Sequence, residues 1–160
     1  GETDLPDSVL ERLDIAIASI HMPCFKDERT IDNVTAAYEK VMEHPYVDII
    51  GHPDDGRFPV DMKRLVKKAK ETGTLLEVNN SSLRPEGFRE NTKENCLEMV
   101  KECKAQGVMI VLGSDSHVDT DIAEYPYAEE ILRETDFPEE LVANVSLEKL
   151  KACIKHGKKL

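Results

Sequence analysis

The chain is predicted to adopt an α/β fold of parallel strands with outer helices, and three features of the sequence predict it. Four short apolar runs of strand length recur along it. Between them lie segments whose apolar residues repeat at helical spacing, the alternation that builds parallel βα units. Each apolar run also ends in polar residues, so that polar groups gather at one end of every strand.

The first run is Ile15-Ala16-Ile17-Ala18-Ser19-Ile20. Runs this continuous in apolar and β-branched residues fit strands buried on both faces. A helix follows, with Thr30 as its N-cap and Ile31, Val34, Tyr38, Val41 and Met42 on one face. The second run is Val47-Asp48-Ile49-Ile50-Gly51, followed by a stripe of Met62, Leu65, Val66 and Ala69 that Gly73 stops. The third is Thr74-Leu75-Leu76-Glu77-Val78. Its helix is opened by Asn91 with Glu94 three residues later, carries Cys96, Met99, Val100 and Cys103, and closes at Gly107. Cys96 and Cys103, on one face, read as core thiols. After the fourth run, Val108-Met109-Ile110-Val111-Leu112-Gly113, helical spacing returns at Ala123, Tyr127, Ile131 and Leu132. Pro138 to Leu141 follows, Val142 to Val145 reads as a short strand, and a last helix runs from Ser146 through Ile154.

Residues 1–160 suffice for a single domain with a real core. The strand runs start at 15, 47, 74 and 108, so they recur every 27 to 34 residues. A closed βα barrel needs about 250 residues, and about 200 at the least. The chain is therefore either a small open sheet or part of a barrel.

The 32 acidic residues outnumber the 21 basic ones, which argues against a nucleic-acid partner. No apolar run is long enough to span a membrane, and the acidic start Gly1-Glu2-Thr3-Asp4 predicts no signal peptide. Cys24, Cys96, Cys103 and Cys153 form no CxxC pair and read as reduced thiols, so a cytoplasmic location is expected.

In α/β proteins, sites form at the carboxyl ends of strands. Here those ends carry His21, His52, the string Asn79-Asn80-Ser81-Ser82, and Asp115 with His117. Neutral imidazole and carboxylate are the usual ligands of borderline divalent metals. Parallel strands deliver their ends to one rim, so three His and an Asp can converge. Asp115 and His117 are the stronger pair, because an Asp-x-His on an extended segment puts both side chains on one side. Asn79, Asn80, Ser81 and Ser82 are poor ligands and read either as a hydrogen-bonded turn or as groups that orient the histidines. Arg57, Arg84 and Arg89 follow the strand ends; the ordinary reading is solvated charge, the functional one a grip on a phosphate. Cys24 near His21 lacks an orienting third group for a nucleophile. His44 before Pro45, and His156 in the last turn, read as structural.

The segments Ser19-Ile20-His21, Ile49-Ile50-Gly51-His52-Pro53, Leu76-Glu77-Val78-Asn79-Asn80-Ser81-Ser82 and Gly113-Ser114-Asp115-Ser116-His117 resemble the PHP (polymerase and histidinol phosphatase) superfamily, in particular its small stand-alone bacterial phosphatases. The similarity runs from about Leu13 to Asn144-Val145-Ser146. It implies a distorted (β/α)7 TIM-like barrel of which this chain is the C-terminal part. It implies hydrolysis of phosphate esters by a metal-activated water, with two or three divalent ions (Zn, Mn or Fe). By motif match, His21 and His52 bind one metal, Asp115 a second and His117 a third. Asp115 and His117 are the expected catalytic residues, and Asn79, Asn80, Ser81, Ser82 and Arg84 support the metals or the substrate. The family's His-x-His strand and bridging Glu have no counterpart before His21. The expectation is therefore a C-terminal portion, consistent with a chain that does not begin with Met. Its metal set is expected to be incomplete and its own activity weak or absent. The expected partner is a small phosphorylated substrate, with homo-oligomers possible through exposed barrel edges. Two other readings stand beside this one: a non-catalytic regulatory or partner-binding α/β module with a vestigial site, and an amidohydrolase-type metal hydrolase.

Overall fold

The computed structural model describes residues 2–155. The elements follow in the order α1 (Asp7–Leu10), β1 (Ile17–Ala18), α2 (Ile31–Met42), β2 (Ile49–Ile50), α3 (Met62–Thr72), β3 (Leu75–Asn79), α4 (Thr92–Gln106), β4 (Ile110–Gly113), α5 (Pro126–Glu134) and α6 (Leu147–Cys153). The four strands form one parallel sheet in sequential order. The predicted α/β alternation is observed, and the short turn α1 is an addition to it.

Local chemistry explains the boundaries. The Thr30 hydroxyl accepts from Asn33 N, the Asp61 carboxylate from Lys63 N and Arg64 N, and the Ser146 hydroxyl from Lys149 N. Gly73 and Gly107 end α3 and α4 in the left-handed conformation, where a side chain would be strained. Asn91 precedes α4 as expected but lies left-handed, with no side-chain capping bond, so its expected role as a capping side chain is not observed. Ala123, expected on a helical face, precedes α5 with φ 61°.

Val142–Val145 is not a strand. Val142 makes one parallel bridge to Ile110, and residues 143–145 form a 3-10 turn. The Asn144 side chain replaces the missing pairing: its Oδ1 accepts from Leu112 N at 3.0 Å and its Nδ2 donates to Leu112 O at 2.9 Å. An amide side chain here takes the part of a peptide group.

Side chains alternate across the sheet. Ile50, Leu76, Val78 and Ile110 face the helices and join the main core with Val34, Tyr38, Met42, Leu65, Val66, Met99 and Ile131. Cys96 and Cys103 are in that core, as expected. On the opposite face, Ile49, Leu75, Val111 and Ala143 form a smaller cluster against Leu150 and Cys153 of α6. The buried Asp48 joins distant parts: Oδ2 accepts from Ala16 N at 3.0 Å and Oδ1 from Lys155 N at 2.7 Å. Among the described residues no helix is long and apolar enough to cross a membrane. His156 lies outside the described residues.

Candidate functional site

The parallel strands place His21, His52, Asn79 and Asp115 at one end of the sheet. The rings of His21 and His52 meet edge to face, with centroids 4.9 Å apart. His21 is exposed and His52 is buried. His52 is left-handed at φ 34°, a conformation that costs a residue with a Cβ. Its Nδ1 is buried without a hydrogen-bond partner. Burial, then the Arg89 guanidinium and His21, pull the His52 pKa down to about 4, so the ring is neutral near pH 7.

Glu77 lies on β3, between β2 and β4; the sequence groups it with the polar residues that end the third run but assigns it no role of its own. Its Oε2 accepts from His52 N at 2.8 Å and from Asn79 Nδ2 at 3.1 Å. Glycines flank it on both neighbouring strands. A Cβ on Gly113 would fall 1.8 Å from Glu77 Oε1, and one on Gly51 would fall 2.3 Å from Ser19 Oγ and 3.4 Å from Glu77 Oε2. Burial raises the Glu77 pKa, against the hydrogen bonds from Asn79 and His52.

Arg89 is the second residue that the ordinary reading of sequence misplaces. It follows from a loop position, yet its side chain is only 8% exposed. It donates from Nη2 to Asp115 Oδ2 at 3.1 Å and from Nη1 to Ser82 Oγ at 2.9 Å, and its Nε lies 3.9 Å from Asp55 Oδ2. A buried cation persists where carboxylates and hydroxyls surround it. Burial raises the Asp115 pKa, but the Arg89 hydrogen bond and charge outweigh it and hold the carboxyl below the usual range. Arg57 and Arg84 are also paired, with Asp55 (2.9 Å) and Asp121 (2.6 Å) respectively. Asp54, fully buried, has both carboxylate oxygens without a hydrogen-bond partner. Burial pushes its pKa up to about 7. The Asp54-Asp55 doublet beside His52 was the only hint of this in the sequence.

The string after β3 divides its work. Asn79 Oδ1 accepts from Ser82 N at 2.8 Å, closing the turn, and Ser82 then meets Arg89. Asn80 Oδ1 accepts from Tyr127 N at 2.9 Å and Ala128 N at 3.1 Å, so it caps α5 from another loop. Ser81 contributes its carbonyl to Arg84 N at 3.4 Å. Asp115 is left-handed at φ 48°, so the Asp-x-His segment is not extended as expected. His117 is exposed and hydrogen-bonds through Nδ1 to the Asp115 carbonyl oxygen at 3.0 Å. His44 sits away from this rim, 3.1 Å from Asp7 Oδ1. Among the described residues, no three or more His, Cys, Asp or Glu form one metal-holding group. The structure therefore brings His21 to His52 and Asp115 to Arg89, and joins the two pairs through Glu77 and Asn79.

No family model matches the chain. It is 46% identical over 160 residues to a probable phosphatase of Clostridium novyi (strain NT), covering 100% of this chain and 64% of that protein. It is 42% identical over 158 residues to a probable phosphatase of Acetivibrio thermocellus, covering 99% of this chain and 64% of that protein. A probable phosphatase of Caldicellulosiruptor saccharolyticus is 40% identical over 161 residues, covering 100% of this chain and 66% of that protein. These proteins are its homologues. The chain spans about 64% of the length of the first two curated relatives.

Proposed function

We propose that this chain supplies part of the site of a metal-dependent phosphoesterase of the polymerase and histidinol phosphatase type. The observation that carries the reading is the His21–His52 pair, in which the buried Nδ1 of His52 takes no part in the protein's own hydrogen bonds. A neutral imidazole with a ring nitrogen so placed fits a divalent-metal ligand. Homology to probable phosphatases over essentially the whole chain supports the reaction class. In this reading the sheet is an arc of a distorted seven-stranded βα barrel.

His21 and His52 hold one ion, Asp115 a second and His117 a third, within a set of two or three divalent ions (Zn, Mn or Fe). Such ions supply Lewis-acid activation of water and neutralise phosphate oxygens. The chain's own residues prepare the ligands. Arg89 takes Asp115 Oδ2 and fixes the carboxylate plane, which leaves Oδ1 to ligate. His117 uses Nδ1 on a carbonyl, which makes Nε2 its ligating nitrogen. Asn79 and Ser82 hold Arg89 in register, and the carbonyls of Asn80 and Ser81 close the turn by accepting from Leu83 N and Arg84 N. Arg84, half-exposed at the rim, meets phosphate oxygens of a small phosphorylated substrate by exchanging Asp121 for them.

The test uses the longest natural reading frame and p-nitrophenyl phosphate with added Mn2+ or Zn2+. Hydrolysis is expected to stop on chelation and to return with metal. Asp115→Ala and His52→Ala are each expected to lower kcat/KM by about 100-fold or more, beyond the loss typical of outer groups. Hydrolysis that survives chelation, or is unchanged in Asp115→Ala, overturns the reading.

A further inference from the structure

We infer that Glu77 is a positioning residue: its carboxylate holds the His52 backbone left-handed and so turns that imidazole onto His21. The function this serves rests on the metal-site reading above, whereas the geometry does not.

Three observations meet here. The first is conformational. His52 carries φ 34°, where a residue with a Cβ stays only if its surroundings hold it. The second is the hydrogen bond that holds it. The His52 N–H ends on Glu77 Oε2 at 2.8 Å, a charge-assisted bond from a neighbouring strand, 25 residues away in sequence. The third is the space made for the acid. Gly113 leaves room for the outer half of Glu77: a Cβ there would fall 1.8 Å from Oε1, 2.8 Å from Cδ and 3.1 Å from Cγ. Alanine at 113 would therefore move the whole carboxylate, not merely its tip. Asn79 Nδ2 fixes the same Oε2 from the other side at 3.1 Å. A buried carboxylate on a strand is costly unless its acceptors are used. Here Oε2 is used twice, by the backbone of a candidate ligand and by Asn79 Nδ2, and the His52 ring packs 4.9 Å from that of His21.

The arrangement separates two tasks within one strand end. Glu77 directs its oxygen to a backbone amide, so it sets where His52 points without competing for the ring. Removing Glu77 and blocking its place from Gly113 should then have the same consequence, though the two changes share no atom.

The test is solution NMR of the isotope-labelled 160-residue chain without metal. In the parent, the His52 amide is expected far downfield, as for a bond to a carboxylate, with a cross-peak between the His21 and His52 rings. Glu77→Ala and Gly113→Ala are each expected to shift that amide upfield and remove the cross-peak, with amides of α2 and α3 unmoved. Glu77→Gln keeps an acceptor of the same reach and is expected to restore the ring cross-peak. Adding Gly113→Ala to Glu77→Ala should change the His52 signals no further. The inference is overturned if Glu77→Ala or Gly113→Ala folds with the ring cross-peak and amide intact. It is also overturned if the two effects add in full, or if Glu77→Gln behaves as the alanine variant does. If Glu77→Ala does not fold, Glu77→Gln and Gly113→Ala still decide the matter. None of these readouts uses phosphatase activity, so this inference and the functional reading can fail separately.

Discussion

On the helix-covered face of the sheet, Ile50, Leu76, Val78 and Ile110 are all fully buried and apolar. On the opposite face the same strands pack Ile49, Leu75 and Val111 in the smaller cluster against α6, leave Ile17 at 58% exposure, and carry Gly51, Glu77 and Gly113 towards the site. The first face is solved by volume, since any well-packed set of apolar side chains closes it. The strand ends of the second are solved atom by atom: a missing Cβ at Gly51 and Gly113 makes room for one carboxylate, and that carboxylate accepts from one backbone amide. Apolar packing is thus shared by both sides of the layer, whereas positioning is confined to the strand ends of one.

The largest expected effect tests that division directly. Leu76→Ala and Leu65→Ala, which open cavities on the helix side, should each cost about 2–5 kcal/mol in urea denaturation. Ile17→Ala on the other side should cost within about 0.5 kcal/mol. A comparable loss at Ile17 would show that its face is covered in solution. Next comes Asn80→Ala, which removes the shared acceptor of two α5 amides. It should cost about 1–2 kcal/mol, with hydrogen exchange rising first at Tyr127 and Ala128.

A smaller effect depends on pH. Burial raises the Asp55 pKa, but the side-chain and backbone hydrogen bonds of Arg57 outweigh it and leave the carboxyl below its usual value. A depressed folded pKa contributes stability above the unfolded carboxylate pKa and loses it as pH falls through the folded one. Arg57→Met should therefore cost about 1 kcal/mol at pH 7 and progressively less under acid, read from denaturation midpoints at several pH values. Thiol chemistry separates the regions with no energetic cost. Cys24 is exposed, whereas burial pushes the Cys103 thiol up to about 12 and also holds Cys96 well above its usual value. Iodoacetamide on the folded chain should modify Cys24 and spare both core thiols until the protein unfolds.

The helix-covered face was readable because its rule is periodic. Val34, Tyr38, Val41 and Met42, or Leu65, Val66 and Ala69, repeat at helical spacing, and their burial follows from that alone. Strand-end histidines were readable because parallel strands share a direction. What escaped was everything decided by atoms from distant segments. Arg89 looks like loop charge until Asp115, Ser82 and Asp55 surround it. Asn80 looks like one more residue of a polar turn until α5 arrives 47 residues later. The left-handed turns at His52 and Asp115 have no glycine to announce them. Val142–Val145 has the composition of a strand, yet the Asn144 side chain takes the hydrogen bonds that a strand would have made.

Asp48 bears on the order in which the molecule assembles. Its carboxylate joins Ala16 to Lys155, and the second bond spans 107 positions of sequence. Contacts that local βα pieces make among themselves can form early, whereas one of this span must wait for most of the chain to be in place. The segment carrying α6 is thus expected to lock late in folding. Its grip on Asp48 closes only once the stretch after α6 has been brought back to the residue that precedes β2.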